Sequence, residues 1–489
     1  MSASRYISHS ARPPSDLKVL KRDLHEALVV NARRVHRHPN SKPRVYVGAT
    51  GLVVMDWRLA ALDSAYLPPK DLLRSALATL KATLSFSFSS PRSGSKASFL
   101  ETSTGPATLI LLAQLRHVVE HAERESGSAV SPGVESEAPF EKAWETCARI
   151  LQHSINITSM GDPGLPSEDG CEVLYGRAGL LYALLLLRAR FDVAQARLAD
   201  LTDGEITTED AEVFVAVRHL ISDETIADVV DDIVKRGKIG AEEYAKGSGS
   251  KESAPELMWA WHGKRYLGAA HGMLVSCPTD VIAPHIEPIL RTAEWLMEVQ
   301  NPNGNWPTKA GPNHVGRPHG GEFDDELVQW CHGAPGVVIL FSTILQRAED
   351  FNLSSSFADA FQNSLRRGAE LTYQRGILRK GVGLCHGVGG NVYALLRAAD
   401  ALGESPPRHN SPASVDWASF FGKAVHLACV ATKYDRMVED GEMTLADAPY
   451  SLYEGLAGMC CAWTEVLQRL EGRGSGGGMP GYDDLEFDN

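Results

Sequence analysis

The sequence predicts a nearly all-α protein whose helical hairpins close into a two-layer ring. Three observations carry this prediction. Apolar residues recur at helical spacing, alternating runs of strand length are scarce, and a glycine-rich turn leading straight into an apolar helix start recurs along the whole chain.

The stretch from Asp71 to Leu84 places Leu73, Leu77, Leu80 and Leu84 on one helical face, with Asp71 as the N-cap after Pro68 and Pro69. Residues 16–37 behave similarly. The recurring turn reads Tyr46-Val-Gly-Ala-Thr-Gly-Leu-Val-Val54, Ser103-Thr-Gly-Pro-Ala-Thr-Leu-Ile110 and Tyr175-Gly-Arg-Ala-Gly-Leu-Leu-Tyr182. It continues as Gly268-Ala-Ala-His-Gly272, Cys331-His-Gly-Ala-Pro-Gly-Val-Val338, Cys385-His-Gly-Val-Gly-Gly-Asn391 and Tyr453-Glu-Gly-Leu-Ala-Gly458. These seven units recur at intervals of roughly 50 to 95 residues, room for one helix out and one back, which is a helical-hairpin repeat. Seven hairpins stacked side by side close into a ring with the glycine turns gathered at one end. An open solenoid using the same glycines for close packing is the alternative.

Repeats over the whole length predict a single domain, residues 1–471, followed by a flexible Gly-rich and acidic tail, residues 472–489. Residues 85–98, 125–139 and 403–414, rich in Ser, Gly, Pro and polar side chains, read as surface loops.

A composition of 44% hydrophobic and 22% charged residues suits a folded protein with a large core, and excludes a disordered chain. The formal net charge of -13 argues against nucleic acid or an anionic membrane as a general partner, because neutralising phosphates needs surplus Lys and Arg. No stretch approaches the roughly 20 apolar residues that span a bilayer, and no signal-peptide pattern opens the chain. The expected location is cytoplasmic.

Eight cysteines are too few for a disulfide framework in a chain of 489 residues, so thiols are expected. Cys331 and Cys385 differ from the others, since each lies in a glycine-dense segment and is followed at once by His. Cys and His are ligand types that zinc prefers. The two cysteines are too distant for a local finger, but a ring that gathers its turns brings Cys331, Cys385 and His386 together. A cysteine nucleophile with a histidine base is the competing reading.

The chain also carries long ordered motifs: Trp-His-Gly-Lys-Arg-Tyr-Leu-Gly-Ala-Ala-His-Gly (261–272), Trp-Cys-His-Gly-Ala-Pro-Gly (330–336), Leu-Arg-Lys-Gly-Val-Gly-Leu-Cys-His-Gly (378–387) and Pro-Tyr-Ser-Leu-Tyr-Glu-Gly-Leu-Ala-Gly (449–458). In these it resembles the lanthionine synthetase C-like (LanC-like) family, in wording closer to its eukaryotic branch. The resemblance implies an α/α toroid holding one zinc ion on Cys331, Cys385 and His386. It implies an acid/base role for His271, with His332 also facing the site, and glutathione as the thiol substrate. Lys380 matches the family's glutathione-contacting lysine, Arg5 an arginine with the same role, and Asp447 fits the pattern beside the last motif.

The implied reaction is Michael-type addition of glutathione to dehydroalanine or dehydrobutyrine in peptides or proteins. Two departures stand out. Thr444 occupies the place of an arginine, and after His271-Gly272 the chain reads Met273-Leu-Val-Ser-Cys-Pro-Thr-Asp280 instead of continuing as an apolar helix. These favour, as an alternative, a non-catalytic zinc-containing glutathione-binding or regulatory protein. A glycosidase, the third possibility for such a ring, needs paired carboxylates. Glu172 and Glu454 lie in turns without an evident partner.

Overall fold

The computed structural model describes residues 4–9, 16–85, 90–126, 140, 142–159, 169–201, 208–248, 254–269, 279–311, 327–404, 415–473 and 477–485. In chain order the helices are α1 (Leu17–His36), α2 (Ala49–Ala60), α3 (Pro69–Thr83), α4 (Thr104–Glu125), α5 (Ala143–Ser159), α6 (Arg177–Ala199), α7 (Thr208–Leu220) and α8 (Asp223–Ser248). They continue as α9 (Thr279–Ile282), α10 (Ile286–Glu298), α11 (Ala334–Gln346), α12 (Ser355–Arg375), α13 (Val388–Ala401), α14 (Phe420–Ala431), α15 (Tyr434–Glu439) and α16 (Leu456–Leu470). Among the described residues β-structure is limited to isolated bridges, and no helix is long and apolar enough to cross a membrane.

The helices divide into two kinds. Asp16 caps α1 by accepting from the Lys18 amide at 2.8 Å, and α1 then buries Leu20, Leu24, Leu28, Ala32 and Val35, a one-sided stripe. Burying each of these leucines stabilises the fold by about 1.5–3 kcal/mol. By contrast α6, α13 and α16, which follow glycine turns, are buried on every side over Arg177 to Leu187, Val388 to Ala399 and Leu456 to Leu467. A helix apolar all round belongs to an inner layer wrapped by an outer one. One continuous core runs from Leu20 to Tyr482.

The turns join edge to edge around the ring. Val45 and Tyr46 amides donate to the Leu100 carbonyl at 3.1 and 3.0 Å, and Ala97 and Ser98 amides to the Tyr175 carbonyl at 2.8 and 3.0 Å. Tyr175 stacks on Trp261 at 6.1 Å, carrying the chain of contacts to the fourth turn. From there Ala269 donates to the Trp330 carbonyl at 3.3 Å, Cys331 to Cys385 at 3.4 Å and Cys385 to Tyr453 at 2.8 Å. Finally the Tyr453 amide donates to the Tyr46 carbonyl at 3.1 Å, so the last turn meets the first and the ring closes. This is an α/α toroid, and closure rules out the open solenoid.

Two expectations change. On α3 the buried face is Leu72, Ala76, Leu80 and Thr83, one position away from the expected leucine stripe, and Pro68 is the N-cap while Asp71 lies within the first turn. Leu72 and Leu73 begin adjacent faces that share Leu80, and packing against α2 buries the Leu72 face. At the fourth hairpin, residues 270–278, which follow the turn, lie outside the described residues. Residues 477–485, expected in a free tail, are packed instead: Met479 is 0% and Tyr482 3% exposed, and Asp483 and Asp484 pair with buried arginines.

Candidate thiol and metal centre

Cys331 ends a tight turn just before α11. Gly333 at the N-cap has φ +94°, and a Cβ there would lie 2.0 Å from the Leu327 carbonyl oxygen, so only glycine fits. Cys385 occupies the equivalent turn before α13. The main-chain bond between these turns sets the two side chains beside each other. Both are buried, at 8% and 3% exposure.

The thiols are hydrogen-bonded to each other. Cys385 donates to Cys331, which lowers the pKa of Cys331 despite burial; the Gln329 amide donating to its Sγ at 3.1 Å and the nearby Lys380 charge act in the same direction. The same shared proton, together with burial, raises Cys385 well above an ordinary thiol, opposed by a hydrogen bond from the Tyr46 hydroxyl. Elsewhere burial, the largest cause in each case, pushes Cys147, Cys171 and Cys461 up to about 12. Those are packed, inert thiols, whereas the shift of Cys331 runs downward.

His386, next in sequence to Cys385, is half-buried. Burial, and then the Lys380 charge, push its pKa down to about 4, with Asp447 opposing, so the imidazole is neutral at pH 7. Two thiols and a neutral imidazole match zinc in kind. In arrangement the match is partial: among the described residues no group of three His, Cys, Asp or Glu side chains is placed to hold a metal ion. The structure brings the two sulfurs together, and the third donor stands next in sequence.

The mouth of the site collects the other predicted residues. Residues 4–9 form an arm along the segment before Cys385: the Ile7 amide donates to the Ile377 carbonyl at 2.8 Å, and the Arg379 amide to the Arg5 carbonyl at 3.0 Å. The pairing sets Arg5 opposite Arg379, the residue before Lys380, and Arg5 and Lys380 are both exposed. Asp447 is exposed near His386 and Glu454. Thr444 lies against the same segment, its amide and hydroxyl both donating to the Arg379 carbonyl at 2.7 and 3.0 Å. The ring of His332 packs against Tyr266 at 5.4 Å, facing the fourth turn, and burial lowers its pKa. His271 lies outside the described residues.

Sequence reading missed Tyr46 and Gln329 as site residues. Tyr46 opens the first turn, and only ring closure carries it to Cys385, where its ring stacks on Tyr453 at 4.8 Å. Gln329 had a local signal, two residues before Cys331.

The family model described as lanthionine synthetase C-like protein matches residues 40–471. The glutathione S-transferase LANCL1 of Danio rerio is 26% identical over 334 residues, covering 66% of this chain and 64% of that protein. The LanC-like protein GCL1 of Arabidopsis thaliana is 28% identical over 334 residues, covering 66% of this chain and 60% of that protein. The matched region thus spans less than two thirds of either relative's length. A closed ring of helical hairpins, the turn motifs at one end of it, and a family match over most of the length together show that this chain belongs to the lanthionine synthetase C-like family.

Proposed function

We propose that this chain is a zinc-dependent transferase that adds the thiol of glutathione to dehydroalanine or dehydrobutyrine residues in peptides or proteins. The observation that carries the reading is the meeting of Cys331 and Cys385, from separate turns, as a buried hydrogen-bonded pair at the end of the ring where Lys380 and Arg5 stand exposed. The Danio rerio relative is a glutathione S-transferase, which supports the choice of thiol.

Cys331, Cys385 and His386 would hold the zinc, which supplies a deprotonated, nucleophilic substrate thiol at neutral pH. Two cysteinates and one imidazole leave that centre without net charge, a setting suited to thiol transfer. Lys380 and Arg5 take the carboxylates of glutathione and fix its orientation. The sulfur forms a bond to the β-carbon of the acceptor, the C=C electron pair moves toward the carbonyl, and a proton is returned to the α-carbon. His271 is assigned this proton, with His332, neutral and at the edge of the fourth turn, as the second histidine of the site. Atoms balance, since the proton lost by the thiol equals the proton gained at carbon.

Incubation of the purified chain with glutathione and a dehydroalanine peptide is expected to give the thioether adduct, detected by mass spectrometry, and Cys385→Ala to abolish it. Full zinc without adduct would replace this reading with a zinc-containing glutathione-binding protein. Thr444, bonded to the Arg379 carbonyl where relatives carry an arginine, favours that second reading.

A further inference from the structure

Residues 477–485 do not lie on the surface. Arg58 on α2 donates through Nη2 to the Gly478 carbonyl at 2.9 Å and to Asp484 Oδ2 at 2.8 Å. Tyr182 on α6 donates its hydroxyl to Asp484 Oδ1 at 2.6 Å, and Arg397 on α13 pairs with Asp483 at 2.9 Å. These three inner helices belong to the first, third and sixth hairpins, which are not neighbours around the ring. A segment that touches all of them sits on the ring's axis.

The chain's own turns hold this segment in one register. The Met479 amide donates to Asp483 Oδ1 at 2.6 Å and the Gly481 amide to Asp484 Oδ1 at 3.1 Å, so the acidic pair folds the segment as well as anchoring it. Buried carboxylates are costly unless paired, and Arg58 and Arg397 supply the pairs. Arg469 and Arg58 also face Glu465. Asp483 and Asp484 thus neutralise part of a cationic interior that the inner helices create.

Two contacts carry the segment to the thiol pair. The ring of Tyr482 meets Trp330 edge to face at 5.1 Å, and the Tyr453 hydroxyl donates to the Pro480 carbonyl at 2.8 Å. Trp330 is the residue before Cys331, and the Tyr453 carbonyl accepts from the Cys385 amide. Trp330 and Tyr453 themselves meet edge to face at 5.4 Å. Tyr482 also forms one wall of an apolar cavity of ≈ 110 Å³ beneath the fourth turn, so loss of its ring enlarges a space next to Trp330.

We propose that residues 477–485 are an intramolecular peptide ligand of the ring's axis, and that Tyr482 is a positioning residue that seats Cys331 and Cys385 through Trp330 and Tyr453. The inference does not depend on zinc, and its test is run on protein stripped of metal with a chelator. Alkylation rates of Cys331 and Cys385 by iodoacetamide are followed by peptide mass spectrometry in the full chain, with Tyr482→Ala, Tyr482→Phe and, as a control for general loosening, Leu24→Ala in α1. Unseating the thiols is a local opening, so Tyr482→Ala should accelerate alkylation of both about tenfold, while Tyr482→Phe and Leu24→Ala stay within about twofold. Should Tyr482→Ala fail to fold, Asp484→Asn, which weakens the Arg58 anchor, should give about threefold acceleration. The proposal is overturned if the folded Tyr482→Ala protein, or Asp484→Asn in its place, alkylates at the unmutated rate. It is equally overturned if Leu24→Ala accelerates alkylation as much as Tyr482→Ala.

Discussion

The Tyr46 hydroxyl donates a hydrogen bond to Cys385, joining the first turn of the ring to the sixth. The contact exists because Tyr453, in the seventh turn, bridges the two through its main chain and stacks on the Tyr46 ring. If Cys385 holds zinc as proposed, this hydroxyl would be a supporting partner of the metal site, and losing such a partner typically costs about 10–100-fold in metal affinity. Tyr46→Phe is therefore expected to weaken zinc binding at least tenfold in a chelator competition while leaving the helical circular dichroism unchanged. Unaltered affinity would remove Tyr46 from the site.

Lys380 and Arg5 lie far apart in sequence, and the arm of residues 4–9 brings Arg5 opposite Arg379, the residue before Lys380, by pairing with the segment before Cys385. Exposed charges recognising a carboxylate contribute about 1 kcal/mol or less, a factor of about five. Lys380→Ala should raise the KM for glutathione by about that factor with kcat little changed, and the effect should shrink as salt is added. Equal loss in kcat would instead place Lys380 in the chemical step.

Gly268 has φ +137°, and a Cβ there would lie 2.3 Å from the Cys331 carbonyl oxygen. Both the backbone region and the contact reject a side chain, at a cost of about 1–3 kcal/mol. Gly268→Ala should lower the urea midpoint accordingly and displace the Cys331 turn, reducing zinc content. A variant as stable as the unmutated chain would show that the fourth turn does not press on the fifth.

Burial pushes Glu172 up to about 8, although it accepts from the Tyr175 amide at 2.9 Å. A carboxyl whose folded pKa exceeds its unfolded value favours the folded state less as pH rises between the two, here from about 4.3 toward 8. The urea midpoint of the unmutated chain should therefore fall between pH 5 and pH 8. Glu172→Gln, which keeps an acceptor and removes the charge, should flatten that slope; an identical slope in both proteins would refute the assignment.

Much of this was legible in the sequence because glycine and cysteine are constrained locally. The turns before α2, α4, α6, α11, α13 and α16 are where their glycines indicate, and Cys331 and Cys385 meet because equivalent turns gather at one end. What was hidden depends on closure or on packing choice. Tyr46 reaches Cys385 only when the last turn docks on the first. The face of α3 turns on its fit to α2, which buries the Leu72 face although the Leu73 face carries more leucines. The segment around Tyr482 reads as a flexible acidic tail because its carboxylates find their arginines only inside the assembled ring. No local pattern announces that Arg58, Tyr182 and Arg397 share an axis.

The central claim is that Cys331 and Cys385 are zinc ligands, and zinc-edge X-ray absorption on the purified chain tests it most directly. One zinc per chain with two sulfur neighbours at about 2.3 Å, losing one sulfur in Cys385→Ser, is the predicted result. Less than half an equivalent of zinc, or a zinc with no sulfur neighbour, would contradict it.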